Sequence, residues 1–271
     1  MVAMEIVRFQ DASGNSDYAT QDHSGGYVRA VLTAGGSFQV TEESVKVERI
    51  LAPVQPVAIY CVGINYPLHG RETGSKMGEF PIIFMKAPTT VIASGETIIL
   101  PRHLRSDKVD YEGELAVVIG KTCKNVSVDE ALDYVLGYTV ANDVSARDWQ
   151  KEWGGGQFCR GKTFDTFCPA GPVLITADEI PDPNNLVLQT RLNGDLVQDG
   201  NTKDMAFSVA QVISFLSGSN TLVPGTMILT GTPDGVGAAQ KPPRFLKAGD
   251  TLEISIEKIG TLSNEVREET G

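Results

Sequence analysis

The chain has no excess of basic residues. Its 23 Lys and Arg face 34 Asp and Glu, a net charge of −11, so the positive footprint of a nucleic-acid binder is missing. No apolar run reaches the roughly 18 residues of a membrane span. Residues 1–9 lack the basic start, apolar stretch and small-residue cleavage site of a secretion signal. Four cysteines, at positions 61, 123, 159 and 168, show no C-x-x-C spacing. That argues against a disulfide framework or structural zinc and points to a reducing, cytoplasmic location. Histidine is scarce as well, with three in the chain. What is present is 271 residues, 41% apolar and 21% charged. This is enough for one large domain, or a main domain with a small one, burying roughly three quarters of the unfolded surface.

Short strand patterns dominate. Residues 5–9 and 27–32 read as strands of a small β-rich N-terminal module covering residues 1–55, closed by Pro53 and Pro56. Residues 56–271 form the expected main domain, with strands near 57–62, 82–85, 114–119, 173–176, 227–230 and 251–257. Asn193-Gly194, flanked by alternating residues, signals a hairpin with a type I′ turn. Two helices stand out. One is capped by Ser127 and runs over 128–135; the other starts at Ser208 with Val209, Val212, Ile213 and Leu216 on one face. Strands and helices do not alternate, so a doubly wound nucleotide fold is disfavoured. The fold class expected is α+β, predominantly β, as a sandwich or roll.

Gly156-Gln-Phe-Cys-Arg-Gly161-Lys162-Thr163 matches the nucleotide P-loop pattern in form. A P-loop needs a strand before it and a helix after it. Here a charged, helix-like stretch precedes it and Cys168-Pro169 follows within a few residues. A P-loop nucleotide binder is therefore a disfavoured alternative, and Lys162 needs another explanation.

Asp110-Tyr-Glu112-Gly-Glu114 opens a strand with acids at every second position, which puts Glu112 and Glu114 on one face. A solvated strand edge and a hard-oxygen site for Mg²⁺, Mn²⁺ or Ca²⁺ both fit. The apolar run 115–119 that follows argues against the edge. A second apolar stretch ends at Asn142-Asp143. If Pro67 starts a helical turn, His69 and Glu72 are i,i+3 neighbours, either a surface polar turn or a general-base dyad. The glycine-rich stretch after them has the mobility a lid needs. The turn Gly231-Thr232-Pro-Asp-Gly235-Val-Gly237 is either an ordinary tight turn or a set of amides, with the Thr232 hydroxyl, able to bind an anionic oxygen.

Five motifs in order resemble the fumarylacetoacetate hydrolase superfamily: Gly63-Ile-Asn-Tyr66 with His69-x-x-Glu72, Asp110-x-Glu-x-Glu114-Leu-Ala-Val-Val-Ile-Gly120, Asn142-Asp-Val-Ser-Ala-Arg-Asp148, Gly161-Lys-Thr-Phe-Asp165 and Leu229-Thr-Gly-Thr-Pro-x-Gly-Val-Gly237. The resemblance implies a mixed β-sandwich roll, working as a homodimer. It implies that Glu112, Glu114 and Asp143 hold one divalent metal, usually Mg²⁺. His69 and Glu72 become the catalytic dyad, Lys162 a group that polarises substrate, and Tyr66, Gly231 and Thr232 substrate contacts. The stretches 141–149, 160–169 and 241–250 look most like the oxaloacetate tautomerase branch. The implied activity is on small 2-oxo (di)acids through a metal-bound enol or enolate. Keto–enol tautomerisation of oxaloacetate is the leading reading; acylpyruvate C–C hydrolysis and oxaloacetate decarboxylation are the alternatives.

Overall fold

A computed structural model describes residues 4–270. The first three residues of the expected N-terminal module, and of the stretch read for a secretion signal, lie outside the described residues, as does the last residue of the main domain.

Alternation explains how the central strand sits. In Gly113–Ile119, Leu115, Val117 and Ile119 point to one face and Ala116 and Val118 to the other, all fully buried. Leu115, Val117 and Ile119 meet Leu188, Ile254, Ile256 and Leu262 of a second, five-stranded sheet. The opposite face packs against Ile6, Ile59, Cys61, Met227 and Leu229. The strand lies within a twelve-stranded sheet, between Val135–Asn142 and Thr226–Leu229. Ala58–Gly63 and Ile82–Lys86 extend the sheet on one side. On the other, Cys168–Thr176 pairs with Glu5–Gln10, which continues into Ser16–Gln21, Tyr27–Leu32 and Phe38–Val45. Strands dominate and helices are few and short, as the predominantly β expectation required.

The hairpin forms where Asn193-Gly194 predicts it. Val187–Leu192 and Asp195–Asn201 flank Asn193 at φ 54° and Gly194 at φ 86°, the two positive angles a type I′ turn needs. The helix Val209–Ser217 also forms. Ser208 accepts from the Gln211 amide, and Gln211 reaches back to the Ser208 amide in a capping box. Val212 and Ile213 are buried in the inter-sheet core.

The helix expected over 128–135 does not form. The chain makes a 3₁₀ turn at Ala131–Tyr134, and Val135 already opens the strand Val135–Asn142. The Ser127 hydroxyl donates to the Glu130 carboxylate instead of capping a backbone amide. The β-branched and aromatic residues that follow are held by sheet pairing, which outweighs a weak helical preference.

Ser208→Ala is expected to lower stability by about 1 kcal/mol through the lost cap. Ile213→Ala should cost about 2–5 kcal/mol through the cavity it leaves. Urea midpoints check both; no shift for Ile213→Ala would place this helix outside the cooperative core.

Candidate active site

Four chain segments end at one edge of the large sheet. Antiparallel pairing sets Gly113 opposite Asn142, so the acids at the start of one strand meet Asp143 at the end of the next. The Asp143 amide donates to the Glu112 carbonyl at 2.8 Å. Thr226–Leu229 and the parallel Ala58–Gly63 stop at the same edge and lead into the glycine turn and the dyad segment.

Glu112, Glu114 and Asp143 are buried, and each offers an oxygen within 4.8 Å of the others. Three cations answer them. Lys162 Nζ lies 2.7 Å from Glu112 Oε2 and 2.6 Å from Asp143 Oδ2. Lys86 Nζ donates to Asp143 Oδ1 at 2.6 Å and to the Val144 carbonyl at 3.2 Å. Arg147 pairs with Glu112 at 2.7 Å and Asp110 at 2.8 Å. Burial works against ionisation of Glu112, yet the charges of Lys162 and Arg147 hold its carboxyl well below the usual range. Burial, then repulsion from Asp143 and Glu112, pushes the Glu114 carboxyl well above it, against the opposing pull of Lys162 and the Gly231 amide. Burial disfavours the Lys162 ammonium, but Asp143 and Glu112 outweigh it and hold its pKa above the usual lysine value.

The dyad forms as the spacing requires. Pro67 opens the short helix Pro67–Glu72, and His69 Nδ1 lies 2.8 Å from Glu72 Oε1. His69 is 6% exposed, which removes the surface-turn reading. Glu72 Oε2 accepts from the Gly235 amide at 2.8 Å, so the helix is tied to the glycine turn. His69, Glu112, Glu114, Arg147, Lys162 and Thr232 line one cavity.

The turn itself binds anions, but they are the protein's own. The Gly231 amide donates to Glu114 at 2.6 Å, and the Gly237 and Ala238 amides donate to Asp110 at 2.8 and 3.0 Å. The Thr232 hydroxyl donates to the Gly113 carbonyl at 3.0 Å and accepts from Gln198 at 2.8 Å. Tyr66 is buried, and its hydroxyl has no hydrogen-bond partner among the described residues.

Lys162 arrives without a P-loop. A π-helix, Asp148–Trp153, precedes the segment, and a four-residue helix, Cys159–Lys162, lies inside it.

A family model described as fumarylacetoacetate (FAA) hydrolase C-terminal matches residues 58–267. The chain belongs to the fumarylacetoacetate hydrolase family. It is an enzyme of that family, and no helix among the described residues is long and apolar enough to cross a membrane. A relative from Xenopus laevis, named a mitochondrial oxaloacetate tautomerase, is 49% identical over 218 residues, covering 80% of this chain and 68% of its own. A human protein of the same name is 48% identical over 217 residues, with the same coverage. Among solved structures, a fumarylacetoacetate hydrolase from Exiguobacterium antarcticum superposes with a TM-score of 0.86 at 37% identity, covering 98% of this chain and all of that one. A 2-hydroxyhepta-2,4-diene-1,7-dioate isomerase from Mycobacterium marinum gives 0.84 at 36% identity, covering 99% and 100%. The oxaloacetate tautomerase branch expected from residues 160–169 is the branch of the curated relatives. Their names place those proteins in mitochondria, which overturns the expectation of a cytoplasmic location.

Sequence reasoning about this fumarylacetoacetate hydrolase family member missed Lys86 and the anchoring of Arg147 by Asp110. The signal for Lys86 lay in its strand: alternation over Ile82–Lys86 puts the lysine on the same face as the buried Phe84.

The donor set suits a hard divalent cation: three carboxylate groups, buried, close together, with the Glu114 carboxyl raised by burial and then by repulsion from the other two. In chelator, native Glu114 keeps a proton that the unfolded chain releases near its ordinary value of 4.5. The native state then binds more protons, so this contribution is fully present below that value and is lost as pH rises through the raised native pKa. Urea midpoints in chelator at about pH 5 and about pH 8 should show the fall, and Glu114→Gln should flatten it. Stabilisation by added Mg²⁺ or Mn²⁺ should grow with pH, because the cation displaces that proton. An unchanged pH slope in Glu114→Gln would overturn the assignment.

Proposed function

We propose that this chain is an oxaloacetate keto–enol tautomerase that works with a divalent cation, Mg²⁺ before Mn²⁺ or Ca²⁺. One observation carries the reading: His69, hydrogen-bonded to Glu72, shares a cavity with Lys162 and with Glu112 and Glu114, two of the three converging carboxylates. The names of the curated relatives support it. Glu112, Glu114 and Asp143 would hold the cation. When bound, it supplies Lewis acidity toward the oxygens of a 2-oxo acid.

The chain's own groups then have definite tasks. Glu72 accepts at Nδ1, so a neutral His69 carries its proton there and presents the Nε2 lone pair. Nε2 takes a proton from C3 of the keto form and passes it to the C2 oxygen to give the enol; in the reverse direction it takes the hydroxyl proton and returns it to C3. Glu72, fixed by the Gly235 amide, holds the ring and steadies the imidazolium. Lys162 spends two of its three N–H donors on Glu112 and Asp143 and keeps one for the oxygen that gains charge as the enol forms. Tyr66 offers a buried hydroxyl whose hydrogen-bonding capacity is unspent. The Thr232 hydroxyl and the Gly231 amide act on substrate through Gly113 and Glu114, which they hold.

The free space in the cavity is about 40 Å³, room for a water molecule but not for a four-carbon acid. Entry of such an acid needs a wider opening, and the helix Pro67–Glu72, held to the glycine turn by the Glu72–Gly235 hydrogen bond, is the wall that would have to give.

The test is a panel of oxaloacetate and acetylpyruvate, with Mg²⁺ and with chelator. The enol-to-keto conversion of oxaloacetate should be accelerated at a higher kcat/KM than pyruvate release from either compound. His69→Ala should lower kcat by about 10²-fold or more, the usual worth of a general base. Pyruvate from acetylpyruvate at the higher kcat/KM would make the enzyme a C–C hydrolase; pyruvate from oxaloacetate would make it a decarboxylase.

A further inference from the structure

Among the cationic side chains lining the cavity, one has no partner. Lys162 faces Glu112 and Asp143, and Arg147 faces Asp110 and Glu112. Lys151 also lines the cavity, and among the described residues its ammonium makes no ion pair or hydrogen bond. Its sequence neighbour Glu152 is turned away and pairs with Lys108.

The backbone explains this placement. Lys151 sits in the π-helix Asp148–Trp153, an unusual element that tends to mark functional sites. The N-terminal end of that helix is pinned. Asp148 accepts from the Ser106 hydroxyl at 2.7 Å and the Asp107 amide at 3.0 Å, and the Trp149 indole donates to the Arg105 carbonyl at 3.0 Å. Residues 147, 150 and 151 thereby share the face turned to the cavity. Arg147 and Gln150 are consumed by each other and by the acids; Lys151 stands free at the rim.

We propose that Lys151 is a specificity-determining residue that binds the second carboxylate of a dicarboxylic 2-oxo acid, the one remote from the Glu112–Glu114–Asp143 cluster. This rests on the oxaloacetate reading above and adds to it how the enzyme separates a dianion from a monoanion such as an acylpyruvate. A substrate whose 2-oxo acid end lies among the buried groups carries its other end toward the rim. There the free ammonium supplies a charge-assisted hydrogen bond. Lys151 is exposed, but desolvation beside the cavity wall, then repulsion from Arg147, holds its pKa below the usual lysine value, against the weaker pull of Glu112 and Asp110. A docking carboxylate relieves that strain.

Dissociation constants of oxaloacetate, pyruvate and oxalate, measured by calorimetry on the Mg²⁺-loaded wild type, Lys151→Met and Lys151→Arg, test the proposal. Pyruvate lacks the second carboxylate, and oxalate is too short to reach the rim from the cluster. Lys151→Met should weaken oxaloacetate by about tenfold or more, the worth of a hydrogen bond to a charged group. Pyruvate and oxalate should keep their affinities, and Lys151→Arg should recover most of the loss. In turnover, the change should fall on KM and spare kcat. If Lys151→Met binds oxaloacetate as the wild type does, or loses all three ligands equally, the specificity role is overturned. If the wild type itself binds oxaloacetate no better than pyruvate, the dicarboxylate reading falls, and the proposal with it.

Discussion

Buried negative charge is the constraint around which this molecule is arranged. Asp110, Glu112, Glu114 and Asp143 lie within one small region, each 5% exposed or less. An ionised carboxylate taken out of water costs several kcal/mol unless charge and hydrogen bonds replace its hydration. The protein answers with two lysines, an arginine and a run of backbone amides, and with a raised pKa on Glu114, where these run out. Among the described residues Glu114 makes no ion pair, and with Glu112 and Asp143 it forms a buried acidic group whose oxygens lie close enough to hold a cation.

The turn at residues 230–238 distributes those amides among three carboxylates with different tasks. Gly231 holds Glu114, Gly235 holds Glu72 of the dyad, and Gly237 with Ala238 holds Asp110, which in turn orients Arg147. Such close approach requires glycine. A Cβ on Gly235 would lie 2.0 Å from the Val197 carbonyl oxygen, and the φ there is 104°. A Cβ on Gly237 would lie 2.7 Å from Asp110 Oδ1 itself. One stiff turn therefore fixes where the His69–Glu72 pair lies relative to the carboxylate cluster.

Much of this was legible because local rules and the global fold agree. The i,i+3 spacing of His69 and Glu72, the period-two acids at 112 and 114, and the Asn193-Gly194 turn each depend on a few adjacent residues. The anion-binding character of the glycine turn was legible too, but not the identity of the anions, since Glu72, Asp110 and Glu114 lie more than 100 residues away in sequence. Lys86 was hidden for the same reason. Its partner Asp143 is 57 residues on, and a single lysine at the end of an apolar strand reads as a solvent-facing terminus. The 128–135 segment misled because its helical signal was local while the sheet that claims Val135 is not.

The stretch 156–163 shows how one pattern can arise from two unrelated demands. In a nucleotide loop, glycines leave backbone amides open to phosphate, and the lysine neutralises it. Here Gly156, the first glycine of the pattern, sits at φ 83° in open space, and Gly154 just before the pattern ends the π-helix where a Cβ would lie 2.1 Å from the Trp149 carbonyl oxygen. Gly161 lets the Cys159–Lys162 helix press against that π-helix, where a Cβ would meet the Ala146 oxygen and the Gln150 nitrogen at 2.7 Å. The contact carries Lys162 to Glu112 and Asp143 from one side, while the π-helix presents Arg147 to Glu112 from the other. Gly161 is a spacer that lets two short helices converge, and the lysine neutralises the protein's own acids. The same letters thus serve a cluster of fixed negative charge, and the electrostatic need for a cation beside an anion is the one element the two uses share.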